Sequence, residues 1–435
     1  MRHVFRVTLA AALPVMAFLI ATSPADIAGA QESAAEVDVD AKYPPEAKAL
    51  YLSRLNAMFG GSGGQNGGLR YDTLEDVPGV ETFAPLPGTD QGKASTISRD
   101  ALDTTEAFAA ARNSQAFMVW RKGKLEREAY FNGADANTLI VGRSLSKPVT
   151  VIAVGRAIME GHIQSVDQPV SDFITEWKGT DRESMLIRHL LDMRTGFLRQ
   201  GMERGPESIL NRSYLHPYHA DVIINEYPLT HEPGERYDYS NATSEMVAPL
   251  IERATGMRYG EWVSEQILKP LGAKGGQVWV NRPKGTAHSG CCILLPADTF
   301  LRLGMLSLFD GMWNGVRLLP EGYVAQTKIA TPQNEWAGMG LYVAGRYIEY
   351  RGAANPDVAN MQITKHAERY LAADLYLYDG NANQVVYIIP SEEMVILRVG
   401  NTPPKDNPWD NSFVPNTLMR SIIRAPGETP PTPQS

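Results

Sequence analysis

The chain has 435 residues, of which 43% are hydrophobic and 21% are charged, and its formal net charge is −8 at pH 7. This length is enough for a large core and one to three domains, and the composition is that of a globular protein rather than a disordered or fibrous one. An acidic chain without a basic run gives no support to nucleic-acid binding, which requires clustered Lys and Arg.

The first part of the chain has the layout of a secretory signal peptide. Two arginines precede an apolar run from Val7 to Ala21, and Ala28-Gly29-Ala30 offers a small-residue cleavage site before Gln31. A permanent membrane anchor is the alternative, but the apolar run is short and contains Pro14. We therefore assign residues 1–30 to a signal peptide and expect a periplasmic or secreted protein with no stable membrane anchor after cleavage.

Cysteine and histidine usage limits cross-linking and metal binding. Cys291 and Cys292 are the only cysteines, and because they are adjacent they cannot join distant parts of the chain. A vicinal disulfide is one alternative, but we expect two buried thiols, since free cysteine behaves as a small hydrophobic residue. The eight histidines lack the spacing of metal-binding motifs. We therefore expect no metal site and no cofactor.

Residues 31–100 are interpreted as an N-terminal extension with a glycine-rich linker. A helix is predicted from Ala47 to Phe59, and the glycine-rich segment 60–68 follows it. Ser62 lies in this segment within a G-x-S-x-G pattern, which is typical of the nucleophile elbow of α/β-hydrolases. An elbow needs a buried strand before it and a helix after it, and neither is predicted here. Ser62 is therefore not assigned a catalytic role.

Residues 101–424 are predicted to form one domain with strands near both of its ends and helices between them. The helical part is inserted at about 160–330, and the proline-rich segment 425–435 is expected to be a disordered tail. This distribution predicts an α+β fold, in which an antiparallel sheet built from both ends of the chain is flanked by helices. The strand-like runs are Ser114–Trp120, Lys124–Phe131, Leu371–Tyr378, Gln384–Ile389 and Met394–Val399.

Ser144 and Lys147 form an S-x-x-K pattern just before the apolar-periodic segment Val151–Met159. On a helix, the i,i+3 spacing places the hydroxyl and the amine on one face. Serine is a poor nucleophile until a base removes its proton, and a deprotonated lysine can be that base. By itself the pattern is weak, because a solvated lysine at a helix start gives the same spacing.

A second candidate element is Tyr239-Ser240-Asn241, which follows the turn at Pro233-Gly234. A tyrosinate near a lysine can take the serine proton and return it to a leaving group, and an asparagine can hold a substrate carbonyl. In isolation, the pattern is better explained by a tyrosine at the end of a strand followed by an asparagine helix cap. A third element is the strand edge near Tyr378, which can supply a backbone N–H to an oxyanion.

The three motifs in this order resemble the serine β-lactamase and penicillin-binding-protein fold, in the class C β-lactamase and esterase branch. More specifically they are similar to the 6-aminohexanoate-dimer hydrolase type, over roughly residues 100–424. The resemblance implies that Ser144 is the acylated nucleophile, Lys147 the base or proton relay, and Tyr239 the acid/base partner. It also implies that Asn241 positions substrate and that a backbone N–H near Tyr378 joins that of Ser144 in an oxyanion hole.

The chain departs from the family pattern at two places. Leu375-Tyr376-Leu377 aligns with the Lys-Thr-Gly of β-lactamases, so the cation expected to meet a β-lactam carboxylate is missing. Asn383 stands where the family usually has Gly. Both differences favour an esterase or amidase that acts on a different substrate.

We therefore expect a serine hydrolase that cleaves a small-molecule ester or amide through an acyl-enzyme. A peptidase or β-lactamase acting on D-amino-acid amides of the cell-wall type is the alternative enzyme, and the missing Lys-Thr-Gly argues against it. A catalytically silent binding protein of the same fold is the alternative from another class. It is disfavoured because a binding module has no need of Ser144, Lys147, Tyr239 and Asn241 together.

Overall fold

The computed structural model describes residues 40–60, 69, 71–88, 94–352 and 363–435. The predicted signal peptide and Ser62 lie outside these residues, so the structure says nothing about either prediction. Within the described ranges, no helix combines the length and the apolar character needed to cross a bilayer. The part of the chain from Tyr43 to Ser435 forms one unit, and the features below belong to it.

Strands and helices are numbered here along the described chain. The strands are β1 (Leu74–Val77), β2 (Ser114–Arg121), β3 (Lys124–Tyr130), β4 (Ile140–Val141), β5 (Gly276–Trp279), β6 (Ile293–Leu295), β7 (Met312–Trp313), β8 (Val316–Arg317), β9 (Tyr342–Val343), β10 (Tyr350–Gly352), β11 (Ile363–Lys365), β12 (Tyr376–Gly380), β13 (Gln384–Ile389) and β14 (Met394–Gly400). The helices are α1 (Pro45–Phe59), α2 (Arg99–Ala110), α3 (Ser146–Met159), α4 (Ile187–Leu191), α5 (Ile209–Leu215), α6 (His219–Asn225), α7 (Asn241–Glu245), α8 (Val247–Thr255), α9 (Tyr259–Val263), α10 (Ala297–Leu308), α11 (Tyr323–Thr327) and α12 (Phe413–Arg420).

The main sheet has six antiparallel strands in the order β3-β2-β14-β13-β12-β9, so strands from both ends of the chain pair within it. Side chains alternate across the sheet: Phe117 and Val119 pack on the face covered by α2 and α12, whereas Met118 and Trp120 pack on the face covered by α10. The predicted α+β class, with helices flanking an antiparallel sheet, is confirmed.

A second antiparallel sheet has the order β1-β5-β6-β4. Its strands β5 and β6 lie within the predicted helical insertion, whereas β1 and β4 precede the insertion along the chain. Its strand β4 pairs with β6 and leads directly into the turn that carries Ser144. The strand β1 belongs to the N-terminal extension and pairs with β5 over four residues, from Leu74 opposite Trp279 to Val77 opposite Gly276. The extension is thus part of the folded unit rather than only a linker.

The structure differs from the prediction at one strand and in the tail. The strand predicted to begin at Leu371 begins at Tyr376 instead and continues to Gly380. The tail expected to be disordered is held by hydrogen bonds: the backbone of Gln434 donates to Tyr370 O, and its side-chain amide donates to Ala344 O at 2.7 Å. Composition alone predicted disorder, but a single buried glutamine that pairs with backbone groups anchors the segment.

Candidate active site

The turn before Ser144 is strained and tightly packed. Arg143 has a φ of 52°, which places its backbone in the left-handed region. Residues with a Cβ adopt this conformation only at an energetic cost. Gly142 leaves no space for a side chain, because a Cβ there would lie 2.8 Å from the Phe300 ring. Its N–H also donates to Ile293 O at 2.8 Å. A 3₁₀ turn then leads into α3, so the Ser144 side chain is held in a fixed place at the start of that helix.

The structure brings four of the five predicted site residues together. Ser144 Oγ lies 2.6 Å from Tyr239 Oη and 3.2 Å from Lys147 Nζ. Lys147 also donates to Asn241 Oδ1 at 2.9 Å and to Gly290 O at 2.7 Å. The ammonium group lies 4.9 Å from the centre of the Tyr239 ring, within the range of a cation–π contact. The local S-x-x-K and Y-x-N patterns therefore converge on one hydroxyl.

The hydrogen bonds of Lys147 define how it can exchange a proton. Gly290 O and Asn241 Oδ1 can only accept, so two of the three N–H bonds of the lysine are committed to them. The third position faces Ser144 Oγ, a hydroxyl that can both donate and accept. A neutral Lys147 keeps both committed bonds and directs its lone pair at the serine. Proton transfer between these two atoms therefore requires no rearrangement of the other contacts.

Gln200 is a site residue that the sequence analysis missed. Its backbone N–H donates to Tyr239 O at 3.2 Å, and its side-chain oxygen accepts from the Asn241 N–H at 3.0 Å. It thereby holds both ends of the Tyr-x-Asn segment. No spacing or motif marks a glutamine that reaches this segment from a loop distant in sequence, so only the tertiary structure reveals it.

Tyr378 lies near the site, but its side chain does not face it. The ring is buried in the core, and its hydroxyl is hydrogen-bonded to Ser307. The neighbouring Gly380 comes closest to the nucleophile turn, since a Cβ there would lie 3.1 Å from Gly142 O and 3.2 Å from Leu145 N. A backbone N–H of β12 that donates to an oxyanion stays a prediction. Because Gly380 approaches the turn so closely, the expected donor lies one or two residues after Tyr378.

The alignment of Leu375-Tyr376-Leu377 with a catalytic-site motif is not supported, because all three side chains are buried in the core. The segment that lines the site is Asp379-Gly380-Asn381. Desolvation raises the pKa of Asp379 to about 7, although Arg351 and a hydrogen bond from Asn411 act in the opposite direction. The end of β12 and the residue after it therefore present a carboxyl group (Asp379) and an amide (Asn381) at the site.

Asn383 occupies the family's glycine position with a φ of 57°. This left-handed conformation explains the usual glycine, and asparagine is among the residues with a Cβ that adopt it most readily. The departure noted in the sequence is thus compatible with the turn between β12 and β13.

A model of the beta-lactamase family matches residues 102–414 of the chain. The chain belongs to the beta-lactamase family. The resemblance predicted from the three motifs is confirmed at that level.

Individual relatives in this family are distant. A 6-aminohexanoate-dimer hydrolase from Paenarthrobacter ureafaciens is 24% identical over 220 residues, which cover 48% of this chain and 56% of the relative. This chain thus matches little more than half of that relative's length. Penicillin-binding protein 4* from Bacillus subtilis is 26% identical over 148 residues, 34% of this chain and 32% of that protein.

Solved structures show the same fold. A protein from Bacillus anthracis, provisionally named a 6-aminohexanoate-dimer hydrolase, superimposes with a TM-score of 0.60 at 19% identity, over 85% of this chain and 93% of that one. A class C beta-lactamase from Rhodobacter sphaeroides gives a TM-score of 0.52 at 15% identity, over 75% of this chain and all (100%) of that one. At these identities the likeness shows the fold alone.

In the part of the chain that the structure describes, two larger cavities open at Ser144, and Tyr239 and Asn381 line both of them. A smaller cavity of about 20 Å³ is lined by Ser144, Lys147 and Tyr239. One of the larger cavities is lined by Met58 and has a volume of about 170 Å³; it is called the Met58 cavity. The other is lined by Asp379 and has a volume of about 210 Å³; it is called the Asp379 cavity. Several further polar side chains line the Asp379 cavity. They include Thr364, Asn383 and Thr402.

A second polar cluster, which the histidine spacing did not predict, is formed by His219, Glu245 and His288. All three are fully buried, and each imidazole has a nitrogen 3.7 Å from a different Glu245 oxygen. The two rings stack with centroids 4.0 Å apart and planes 12° apart. The ligand atoms of the three residues lie within 4.8 Å of one another, a spacing that could hold a metal ion. Because the two rings stack in nearly parallel planes, the arrangement also fits a carboxylate at the edge of two stacked imidazoles.

One chain segment links this cluster to Lys147. A Cβ on Gly290 would lie 3.1 Å from Glu245 Oε1, and the carbonyl of the same glycine accepts from Lys147. Cys291 and Cys292 follow directly and are joined by a disulfide, so the expectation of two thiols is wrong although both residues are buried as expected. The two side chains lie in one apolar cluster with Trp279.

Proposed function

We propose that the protein is a serine hydrolase that cleaves a small ester or amide through an acyl-enzyme on Ser144. The observation that carries this proposal is the pair of contacts on one hydroxyl: Ser144 Oγ is within hydrogen-bond distance of both Lys147 Nζ and Tyr239 Oη. Activation of a serine requires such a base within reach, and return of the proton requires a group that can also donate.

In the proposed first half-reaction, neutral Lys147 accepts the Ser144 proton as Oγ attacks the substrate carbonyl. The resulting oxyanion is stabilised by the N–H of Ser144 at the start of α3 and by a backbone N–H of β12 near Gly380. Tyr239 donates its proton to the leaving alcohol or amine as the bond to the carbonyl carbon breaks, and it recovers a proton from Lys147. The acyl group is then bonded to Ser144.

In the second half-reaction, water takes the place of the leaving group. Tyr239 and Lys147 together remove one proton from the water as it attacks the acyl carbon, and the Ser144 oxygen recovers a proton as it leaves. The products are a carboxylic acid and free enzyme, so the proton count balances over the cycle.

An ester or amide other than a β-lactam is the proposed substrate. A lysine that could pair with a β-lactam carboxylate is absent from the β12 segment at the site, which presents the Asp379 carboxyl group instead. The relative from Paenarthrobacter ureafaciens is named as the hydrolase of a 6-aminohexanoate dimer. That name supports the proposal that the substrate is a small molecule.

Labelling with a fluorophosphonate tests the proposal, because this probe phosphonylates an activated serine and remains attached. We expect one adduct per chain, on the peptide that contains Ser144, and no adduct in Ser144→Ala. The same variant is expected to lose hydrolysis of short p-nitrophenyl esters by ~10⁴-fold or more. Ser62→Ala is the matched control and is expected to keep wild-type activity. Equal activity in Ser144→Ala and wild type would remove the proposed mechanism.

We also propose that the protein is exported and that its mature form begins at or near Gln31. The proposal rests on the charged and apolar pattern of residues 1–30. Amino-terminal sequencing of protein from the native host tests it, and an intact Met1 would count against it.

A further inference from the structure

The Met58 cavity has walls from two parts of the chain. Ser144, Tyr239 and Cys291 come from the region that matches the family model, residues 102–414. Met58 and Leu69 come from the N-terminal extension, which lies outside that match. The extension therefore supplies part of a cavity that opens on the nucleophile.

The wall that the extension builds is apolar and continuous with the domain. Met58, Leu69 and Tyr214 pack against a hydrophobic cluster that contains Cys291 and Cys292. Of these, Met58, Leu69, Tyr214 and Cys291 also line the cavity. The polar groups that line it include Ser144, Tyr239 and Asn241. The cavity thus combines reacting groups with an apolar surface, as ligand sites commonly do.

Buried polar contacts fix the extension in place. The Arg54 side chain is 3% exposed and forms a bidentate pair with Asp72 at 2.6 and 2.8 Å. It also donates to Leu215 O at 3.0 Å and to Asn281 O at 2.9 Å. Bidentate arginine pairs are among the more rigid contacts in proteins. The cavity wall is therefore pre-formed rather than assembled by the substrate.

The extension also touches the nucleophile turn itself. Arg143 donates to Tyr71 Oη at 3.1 Å, and Arg143 is the residue with positive φ directly before Ser144. Tyr71 is in turn packed edge-on against Trp279, with ring centroids 5.6 Å apart. Tyr71 is thus a positioning residue that couples the extension to the turn.

We propose that the N-terminal extension is a specificity element, in which Met58 and Leu69 bind the apolar part of the substrate. The class of substrate is an ester or amide that carries an apolar group on the acyl side of the scissile bond. This inference rests on the proposed function, because the apolar group is attached to the carbonyl that Ser144 attacks.

Alkyl fluorophosphonates of different chain length test the inference without a natural substrate. The second-order rate constant for labelling Ser144 is measured with an ethyl and an octyl probe, and their ratio reports how well the cavity accepts the chain. Met58→Trp fills the cavity and is expected to lower the octyl-to-ethyl ratio roughly tenfold. Met58→Ala enlarges the cavity and is expected to move the preference toward longer chains.

Met159→Trp is the matched control, since Met159 is 43% exposed at the end of α3 and does not line the cavity. It is expected to leave the ratio unchanged, and melting curves verify that each variant is folded. Labelling of Ser144 with the same ratio in folded Met58→Trp, Met58→Ala and wild type would overturn the inference and leave the proposed function intact. Failure of both probes to label wild-type Ser144 would remove the proposed function and, with it, this inference.

Discussion

Two clusters of polar side chains lie on opposite sides of Gly290, and they satisfy their hydrogen bonds in different ways. In the first cluster, Lys147 directs its three donor positions at three oxygen atoms, at 2.7, 2.9 and 3.2 Å. In the second, each imidazole of His219 and His288 stands 3.7 Å from Glu245, beyond a normal hydrogen bond. The first cluster lines open cavities, and the second is fully buried.

The comparison suggests different roles for the two clusters. Short, directional contacts that reach a cavity can move a proton to or from a substrate. Buried titratable groups without substrate access affect stability and its dependence on pH instead. We therefore expect substitutions in the first cluster to change rates and substitutions in the second to change stability. The predictions that follow test this division.

The largest effect is expected from Lys147→Arg. The substitution keeps the positive charge, but a guanidinium group does not deprotonate in proteins and cannot accept the Ser144 proton. We expect the rate of acylation to fall by ~10⁴-fold with a melting temperature close to wild type. Lys178→Arg, at an exposed lysine, is the control. A folded Lys147→Arg enzyme that acylates at the wild-type rate would show that another group activates the serine.

Tyr239→Phe is expected to have the next largest effect. It removes the hydroxyl 2.6 Å from Ser144 Oγ and keeps the ring. Loss of a general acid/base group typically costs 10²- to 10⁴-fold, so we expect a decrease of roughly 10³-fold in kcat/KM for p-nitrophenyl esters. Tyr350→Phe, at a tyrosine that is 57% exposed, provides the control. Near-normal activity of Tyr239→Phe would leave Lys147 as the sole proton carrier.

The second cluster is tested by the pH dependence of stability. Desolvation, with His219 beside it, lowers the pKa of His288 from 6.5 to about 3. In this range the unfolded chain binds a proton that the folded chain does not, so the free energy of unfolding falls as pH is lowered from 6.5 toward 3. The slope that one such group contributes is up to about 1.4 kcal/mol per pH unit.

His288→Phe removes this titration and keeps a planar ring against Trp279, which stacks on His288 at 3.9 Å. We expect urea unfolding curves between neutral pH and pH values near 4 to show a shallower loss of stability than in wild type. We also expect kcat/KM at neutral pH to change by less than about tenfold. An unchanged slope, or an activity as low as that of Lys147→Arg, would contradict the division between the two clusters.

The first cluster was largely predictable from sequence, and the second was not. Ser144 and Lys147 are three positions apart, and Tyr239 and Asn241 are two apart, so local backbone geometry fixes each pair. The order of the motifs then indicates the family and hence the fold. These predictions depend on short-range spacing, which a sequence displays directly.

Contacts between residues far apart in sequence were missed for the converse reason. His219, Glu245 and His288 come from two helices and a loop, and no local pattern brings them together. The acceptor Gly290 O and the side chain of Gln200 reach the site in the same way. The predicted start of β12 was too early, because Leu371–Leu375 is as apolar as the strand itself. Hydrophobicity does not mark where strand pairing begins.

The smallest effect is expected at the disulfide that follows Gly290, on the boundary between the two clusters. Cys291 lines the Met58 cavity, and the carbonyl just before it accepts from Lys147. The bond closes a small ring around the Cys291–Cys292 peptide, and reduction by a dithiol opens that ring. The Gly290 carbonyl then loses one restraint on its position. Because small displacements of a catalytic group lower rates, we expect reduced enzyme to have a roughly two- to tenfold lower kcat/KM.

The measurement compares oxidised and dithiothreitol-treated protein, with alkylation and mass spectrometry to verify the state of both cysteines. The double variant Cys291→Ala/Cys292→Ala is the control, and its activity is expected not to respond to dithiothreitol. Reoxidation should restore the wild-type rate, which separates a reversible restraint from unfolding. Equal activity of fully reduced and fully oxidised wild type would show that the packing around Gly290, including Glu245 and Ser244, holds the Lys147 acceptor without help from the disulfide.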